Sequence, residues 1–212
     1  MKNTLSVFGV ILLFAAQAYA GDVGKELQPA APGPFDRGTL ELEGGAGEFL
    51  SFSTTAAKRT TINYQMEDLR LGWMYDSPRR DNWLGGLLRG NNEFLVELFG
   101  GPVTKGQEGF LAGASLLWRY NFVQPGARLV PYIQLGAGGL GNDIFVDHGQ
   151  REIGEAFEFV LQGDLGLKYL INDRWAVSME ADFRHISNAD LASRNEGLNS
   201  IGGLMQISYF FH

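Results

Sequence analysis

The chain has 212 residues, a net charge of -7 at pH 7, no cysteine, 29 glycines and 15 phenylalanines. Its length fits one domain. The acidic balance, with no basic stripe, excludes a nucleic-acid partner, and without cysteine the fold owes nothing to disulfides.

Residues 1–20 read as a secretory signal peptide: Lys2, an apolar core from Val7 to Ala16, then Ala18-Tyr19-Ala20 as a small-x-small cleavage site. Residues 21–37, with Pro29, Pro32 and Pro34, form an extended lead-in. Residues 38–212 carry β-like segments near 39–52, 60–75, 92–101, 109–122, 129–141, 155–170, 174–187 and 200–211, separated by Gly, Asn, Asp and Pro. Nothing after residue 20 is long and apolar enough for a spanning helix. The fold class is therefore all-β.

The segments alternate in polarity. In the last, Ile201, Met205, Ile207, Tyr209 and Phe211 interleave with Ser200, Gly202, Gln206 and Ser208. In the second, Ile62, Tyr64 and Met66 give way to Leu69, Leu71 and Trp73, a parity shift that predicts a bulge near Glu67-Asp68. Charges on one parity, Glu41 and Glu43, Glu180 and Asp182, with Gln162 and Asp164, suit a polar lumen. Aromatics near strand ends, among them Tyr75, Trp118, Tyr132, Trp175 and Phe211, suit the two interfacial girdles of a membrane barrel. These features favour an eight-stranded antiparallel transmembrane β-barrel over a soluble sandwich or lipocalin-like barrel. With both termini periplasmic, connections after the second, fourth and sixth strands should be short. Residues 123–128 and 171–173 comply; 76–91, with Trp83, Leu84, Leu87 and Leu88, do not, and suggest an interfacial helix.

The run from Trp175 to Ser187 carries the chemistry. Val177, Met179, Ala181 and Phe183 share one parity, and His185 and Ser187 continue it. Residues two apart on a strand point the same way, about 7 Å apart at the backbone. An imidazole beside a hydroxyl is the minimal arrangement for an activated serine nucleophile. The pair faces lipid, near the outer surface. Glu180 and Asp182 lie on the opposite face. No CxxC, HExxH, phosphate-loop or dinucleotide-binding pattern is present, and His148, His185 and His212 are too scattered for a metal site.

Arg184-His185-Ile186-Ser187-Asn188-Ala189, then Asn195-Glu196-Gly197-Leu198-Asn199-Ser200 and Ser208-Tyr209-Phe210-Phe211, resemble the outer-membrane lipid A 3-O-deacylases of the PagL type. The resemblance extends to residues 117–122 and 130–138, and so spans about the C-terminal half. It implies an esterase of the Gram-negative outer membrane that acts on lipid A of lipopolysaccharide without cofactor or metal. His185 matches the general base, Ser187 the nucleophile and Asn188 an oxyanion-stabilising amide. One position departs: a glutamate is the family's third catalytic member, and Asn199 stands there. An amide oxygen can orient an imidazole, as in Cys-His-Asn enzymes, yet supplies no negative charge; Glu196 is the nearest carboxylate. Asn188, Asn195, Gly197 and Asn199 are equally ordinary turn residues. Arg194 reads either as a lipid A phosphate contact or as a solvated loop charge. The alternatives from other classes are a non-catalytic lipid-interacting barrel and a narrow pore. Outer-membrane lipids are the natural surroundings, and a homodimer is compatible with such a barrel.

Overall fold

The computed structural model describes residues 33–53, 60–79, 83–106 and 108–212; the expected signal peptide and most of the lead-in lie outside them. Eight strands follow in order: β1 (Leu40–Phe52), β2 (Asn63–Met74), β3 (Asn91–Lys105), β4 (Phe110–Asn121), β5 (Leu129–Asn142), β6 (Phe157–Leu170), β7 (Trp175–Ser187) and β8 (Leu198–Phe211). Each pairs antiparallel with the next, and β8 returns to β1 to close the barrel. Closure leaves no strand edge unpaired, the condition for strands to cross a bilayer. The ends at which β1, β3, β5 and β7 lead into β2, β4, β6 and β8 lie together, here the loop end. The opposite end carries both ends of the barrel sequence.

The wall is inverted relative to a soluble protein. Leu42, Leu69, Leu71, Leu98, Leu116, Leu135, Leu161 and Met179 point outward and are exposed, around the whole circumference. A soluble surface does not carry an apolar belt of that extent. This excludes the sandwich and lipocalin-like readings. Aromatic clusters edge the belt away from the loop end, where Trp73, Tyr75 and Phe94 meet edge to face, as do Trp175, Tyr209 and Phe211.

Eight strands enclose a space that side chains fill. Phe35, Met74, Val130, Ala176 and Phe210 close the end away from the loops. A charged layer follows. Arg70 meets Glu180 through two nitrogens, at 3.0 and 2.9 Å, and also reaches Glu43 at 3.2 Å, Asp68 at 2.9 Å and Glu97 at 2.9 Å. Arg119 pairs with Glu43 at 2.7 Å, Lys168 binds Glu41, and Arg184 joins Asp182 at 2.8 Å and Glu97 at 3.0 Å. Toward the loops the filling turns apolar, with Phe49, Ile62, Tyr64, Met66, Phe99 and Leu111 buried together. Phe49 and Tyr64 stack at 5.1 Å, and Arg184 bridges the two layers from above the rings of Phe49 and Phe99.

This change of filling explains β2. The β1–β2 ladder runs unbroken from Leu40 opposite Trp73 to Phe49 opposite Tyr64, passing through Glu67 and Asp68 without a bulge. Every even residue from Ile62 to Met74 faces inward. Tyr64 and Met66 enter the apolar layer, Asp68 and Arg70 the charged one, so hydrophobicity changes parity while the backbone does not. The register shift in β2 lies instead between Asn63 and Tyr64, against β3. Among its described residues the 75–90 connection contains a 3-10 turn at Trp83–Gly86 and no interfacial helix. Tyr120 and Gln124 fasten it by hydrogen bonds to the backbone of residues 86–88.

Two outcomes test this interior. Arg70→Met leaves buried carboxylates without their partner and should cost about 3–5 kcal/mol in denaturant unfolding from detergent micelles. Arg151→Ala, which removes an exposed ion pair with Glu196, should leave the midpoint unchanged. Because charged and apolar layers fill the lumen in series, planar-bilayer recordings of the folded barrel should show no conductance steps.

Candidate active site

At the loop end of β7, odd-numbered side chains remain on the outer wall. His185 and Ser187 are half-buried there, in line with exposed Phe183 and Met179. Register then selects their neighbours: His185 stands opposite Asn199 of β8 and Leu161 of β6, and Ser187 opposite Phe159. Side chains directly opposite on one face lie about 5 Å apart at Cβ. His185 Nδ1 accordingly meets Asn199 Oδ1 at 2.8 Å. A carboxamide oxygen only accepts, so Nδ1 carries a proton, and in the neutral ring Nε2 then keeps its lone pair for a hydroxyl. Among the described residues no hydrogen bond joins Ser187 Oγ to Nε2, a contact that apo enzymes often close only when substrate binds.

Gly197 presses on the ring from the β7–β8 connection. Its φ is +71°, and a Cβ built there would lie 2.8 Å from His185 Cε1. Glycine thus meets two demands at once: a left-handed backbone and room for the imidazole.

Asn188 turns inward, next to Ser187 in sequence and opposite to it in direction. It is 1% exposed; its Nδ2 donates to the Arg194 carbonyl at 2.9 Å, and its backbone N–H donates to Asn195 Oδ1 at 2.9 Å. The chain then reverses through Ala189 (φ 53°) and Asp190 (φ 62°), with the Leu191 N–H donating to the Asn188 carbonyl. Left-handed backbone at two successive non-glycine residues is strained. That strain lies immediately beyond Ser187. Glu196 is placed elsewhere: its carboxylate pairs with Arg151 at 3.0 Å. Arg194 is neither a free charge nor turned to solvent, since its guanidinium donates to carbonyl oxygens of the 143–156 connection.

Behind Asn199 opens a cleft of about 80 Å³, lined by Ser51, Thr60, Thr61, Glu152 and Gly197 among others. Its lining carries hydroxyls and a carboxylate, whereas the wall around His185 is apolar, with Phe159, Leu161, Phe183 and Ile201 exposed. Among the described residues, Asp164, Glu180 and Asp182 bring carboxylate oxygens within 4.8 Å of one another, the spacing of a metal site. They face the lumen, and Arg70 and Arg184 already engage two of them.

The model of the lipid A 3-O-deacylase (PagL) family matches residues 47–208. The chain belongs to this family. The match takes in every strand, the first and the last in part, and the whole of the site. Among solved structures, the outer membrane enzyme PagL aligns with a TM-score of 0.50 at 18% identity, covering 79% of this chain and 97% of that one. The outer membrane protein OprG from Pseudomonas aeruginosa gives 0.50 at 13% identity, covering 84% and 97%. Neisserial surface protein A gives 0.50 at 13%, covering 82% and 98%. At such identities these likenesses speak for the fold, an outer-membrane barrel. No curated protein matches the chain.

Within this PagL-family barrel, the roles of Gly197 and Arg194 go beyond what spacing discloses. Glycine two residues before Asn199 is a visible signal once the hairpin register is known. For the arginine there is none, because its partners are main-chain carbonyls. Gly197→Ala should displace the imidazole and break its bond to Asn199. In spectra of ¹⁵N-histidine-labelled protein the Nδ1–H signal of His185 should shift, and left-handed alanine should cost about 1–2 kcal/mol of stability.

Proposed function

We propose that this barrel is a lipid A deacylase, a serine esterase that removes an ester-linked acyl chain in the outer leaflet. The supporting observation is the His185–Asn199 hydrogen bond on the lipid-facing wall, two residues from Ser187 and at the border between apolar wall and polar cleft. A lipid A molecule beside the barrel lays its acyl chain along Phe159, Leu161, Phe183 and Ile201. Its glucosamine hydroxyls meet the hydroxyl groups of the cleft. The scissile ester joins these two parts beside His185, with Ser187 next to it on the side of Phe159.

Ser187 Oγ attacks the acyl carbonyl carbon while its proton passes to His185 Nε2. The oxyanion of the tetrahedral intermediate is met by backbone N–H groups of the turn after Ser187, at Ala189 and Asp190. Asn188 serves that hole by holding the turn, since its own donors are engaged. One such donor is worth about 3 kcal/mol. As the C–O bond to the sugar breaks, Nε2 returns the proton to the leaving oxygen. Water then attacks the acyl-enzyme, giving up a proton to Nε2, and the free fatty acid departs as Ser187 recovers its hydrogen. Asn199 takes the third place and keeps the proton of His185 on Nδ1 throughout.

Mass spectrometry of lipid A from expressing cells tests this. The unaltered chain should remove one hydroxyacyl group, and Ser187→Ala should remove none. Asn199→Leu should lose about 10⁴-fold, the loss seen when a serine-protease triad has the wrong tautomer. If the unaltered chain is silent while Asn199→Glu is active, the native protein is a non-catalytic lipid-interacting barrel. Silence from all of them, with folding confirmed, would overturn the lipid A assignment.

A further inference from the structure

Arg194 lies in the β7–β8 connection, shortly before Gly197 and Asn199. Its guanidinium donates to the carbonyl oxygens of Phe145 at 2.6 Å, Asp147 at 2.8 Å, Gln150 at 3.4 Å and Gly154 at 3.5 Å. All four belong to the β5–β6 connection. Nearer the barrel, Glu196 N–H donates to the Arg151 carbonyl at 3.0 Å and Gly197 N–H to the Glu152 carbonyl at 3.1 Å. Gly154 abuts the carbonyl of Arg194, where a Cβ would lie 1.9 Å from the oxygen. The two connections are thereby laced into one body, and its innermost rung is the residue that touches the imidazole.

We propose that Arg194 is the positioning residue of His185, acting through the β5–β6 connection and Gly197. This rests on the deacylase reading for its effect on turnover, though not for its effect on the ring. Only a guanidinium offers a planar fork of N–H donors that can engage several carbonyls at once; an ammonium radiates three donors from one atom. The fork holds the β5–β6 connection down. That connection accepts the N–H of Gly197 and so fixes the height at which the glycine meets Cε1. With Cε1 blocked on one side and Nδ1 bound to Asn199 on the other, the ring has one orientation and Nε2 one direction. Without the fork the glycine withdraws, Asn199 alone no longer selects the ring flip, and both neutral tautomers become populated.

The test uses the full barrel in detergent, labelled with ¹⁵N-histidine, with the His185 signals identified by their absence from His185→Asn. The unaltered protein should show the Nδ1-protonated tautomer alone. Arg194→Gln should show a mixture, and its kcat on lipid A should fall about 10²-fold, the cost of a displacement near 1 Å, with KM little changed. Arg151→Ala, which leaves both rungs in place, should match the unaltered protein in tautomer and kcat. Should Arg194→Gln fail to fold, Gly154→Ala decides: its methyl separates the connections with the guanidinium intact, and should give the same mixture. A folded Arg194→Gln that keeps the single tautomer overturns the proposal, as does Gly154→Ala with an unaltered spectrum. If the unaltered chain does not deacylate lipid A while the tautomer shifts as stated, the deacylase reading falls and the positioning role stands.

Discussion

Arg70 stands where carboxylates from four strands converge: Glu43 of β1, Asp68 of β2, Glu97 of β3 and Glu180 of β7. A charge fully removed from water is tolerable only when paired and hydrogen-bonded. The pairing here runs across the lumen, so it ties opposite walls together as well as neutralising them. β7 is held twice in this way, since Arg184 also crosses to Glu97 of β3. Arg184 is the residue before His185. The imidazole on the outer wall therefore stands on a backbone whose inner side is fastened to the far side of the barrel, the kind of rigid support that a precise constellation requires.

The outer wall imposes the second condition. Phe159, Leu161, Phe183 and Ile201 make the surroundings of His185 apolar, while the cleft behind Asn199 carries the hydroxyls of Ser51, Thr60 and Thr61 and the carboxylate of Glu152. Few positions on a barrel see both. The proposed hydrolysis needs no tunnel, since a bilayer would align a lipid substrate with the wall and confine its diffusion to a plane.

Much of this was legible in the residues, for a physical reason. A strand with one face in lipid and the other in a packed lumen repeats every two residues, so all eight strands stand near their expected places, and His185 and Ser187 face outward as their parity requires. The same logic misled in β2. Ile62, Tyr64 and Met66 read as one face and Leu69 and Leu71 as another, because alternation alone says nothing of a lumen that is apolar at one end and charged at the other. The 75–90 connection carries apolar residues that suggest a helix, yet Leu84, Gly85 and Gly86 have positive φ, and no helix passes through them. The family resemblance put Asn199 in the place of the third catalytic member, and the β7–β8 register sets it opposite His185. The lacing of the two connections by Arg194 had no such signal, because donors aimed at main-chain carbonyls leave no pattern in the identity of the residues they bind.

Asn199 has one more property that bears on where such a barrel works. A glutamate in that place orients an imidazole through its charge, and it loses that charge as pH falls through about 4.3. A carboxamide has no proton to gain in that range. The acceptor that Asn199 Oδ1 offers to Nδ1 is therefore the same neutral amide oxygen in acidic surroundings as in neutral ones. What the amide forgoes in electrostatic pull on an imidazolium, it returns as an acceptor whose own charge acidity does not alter.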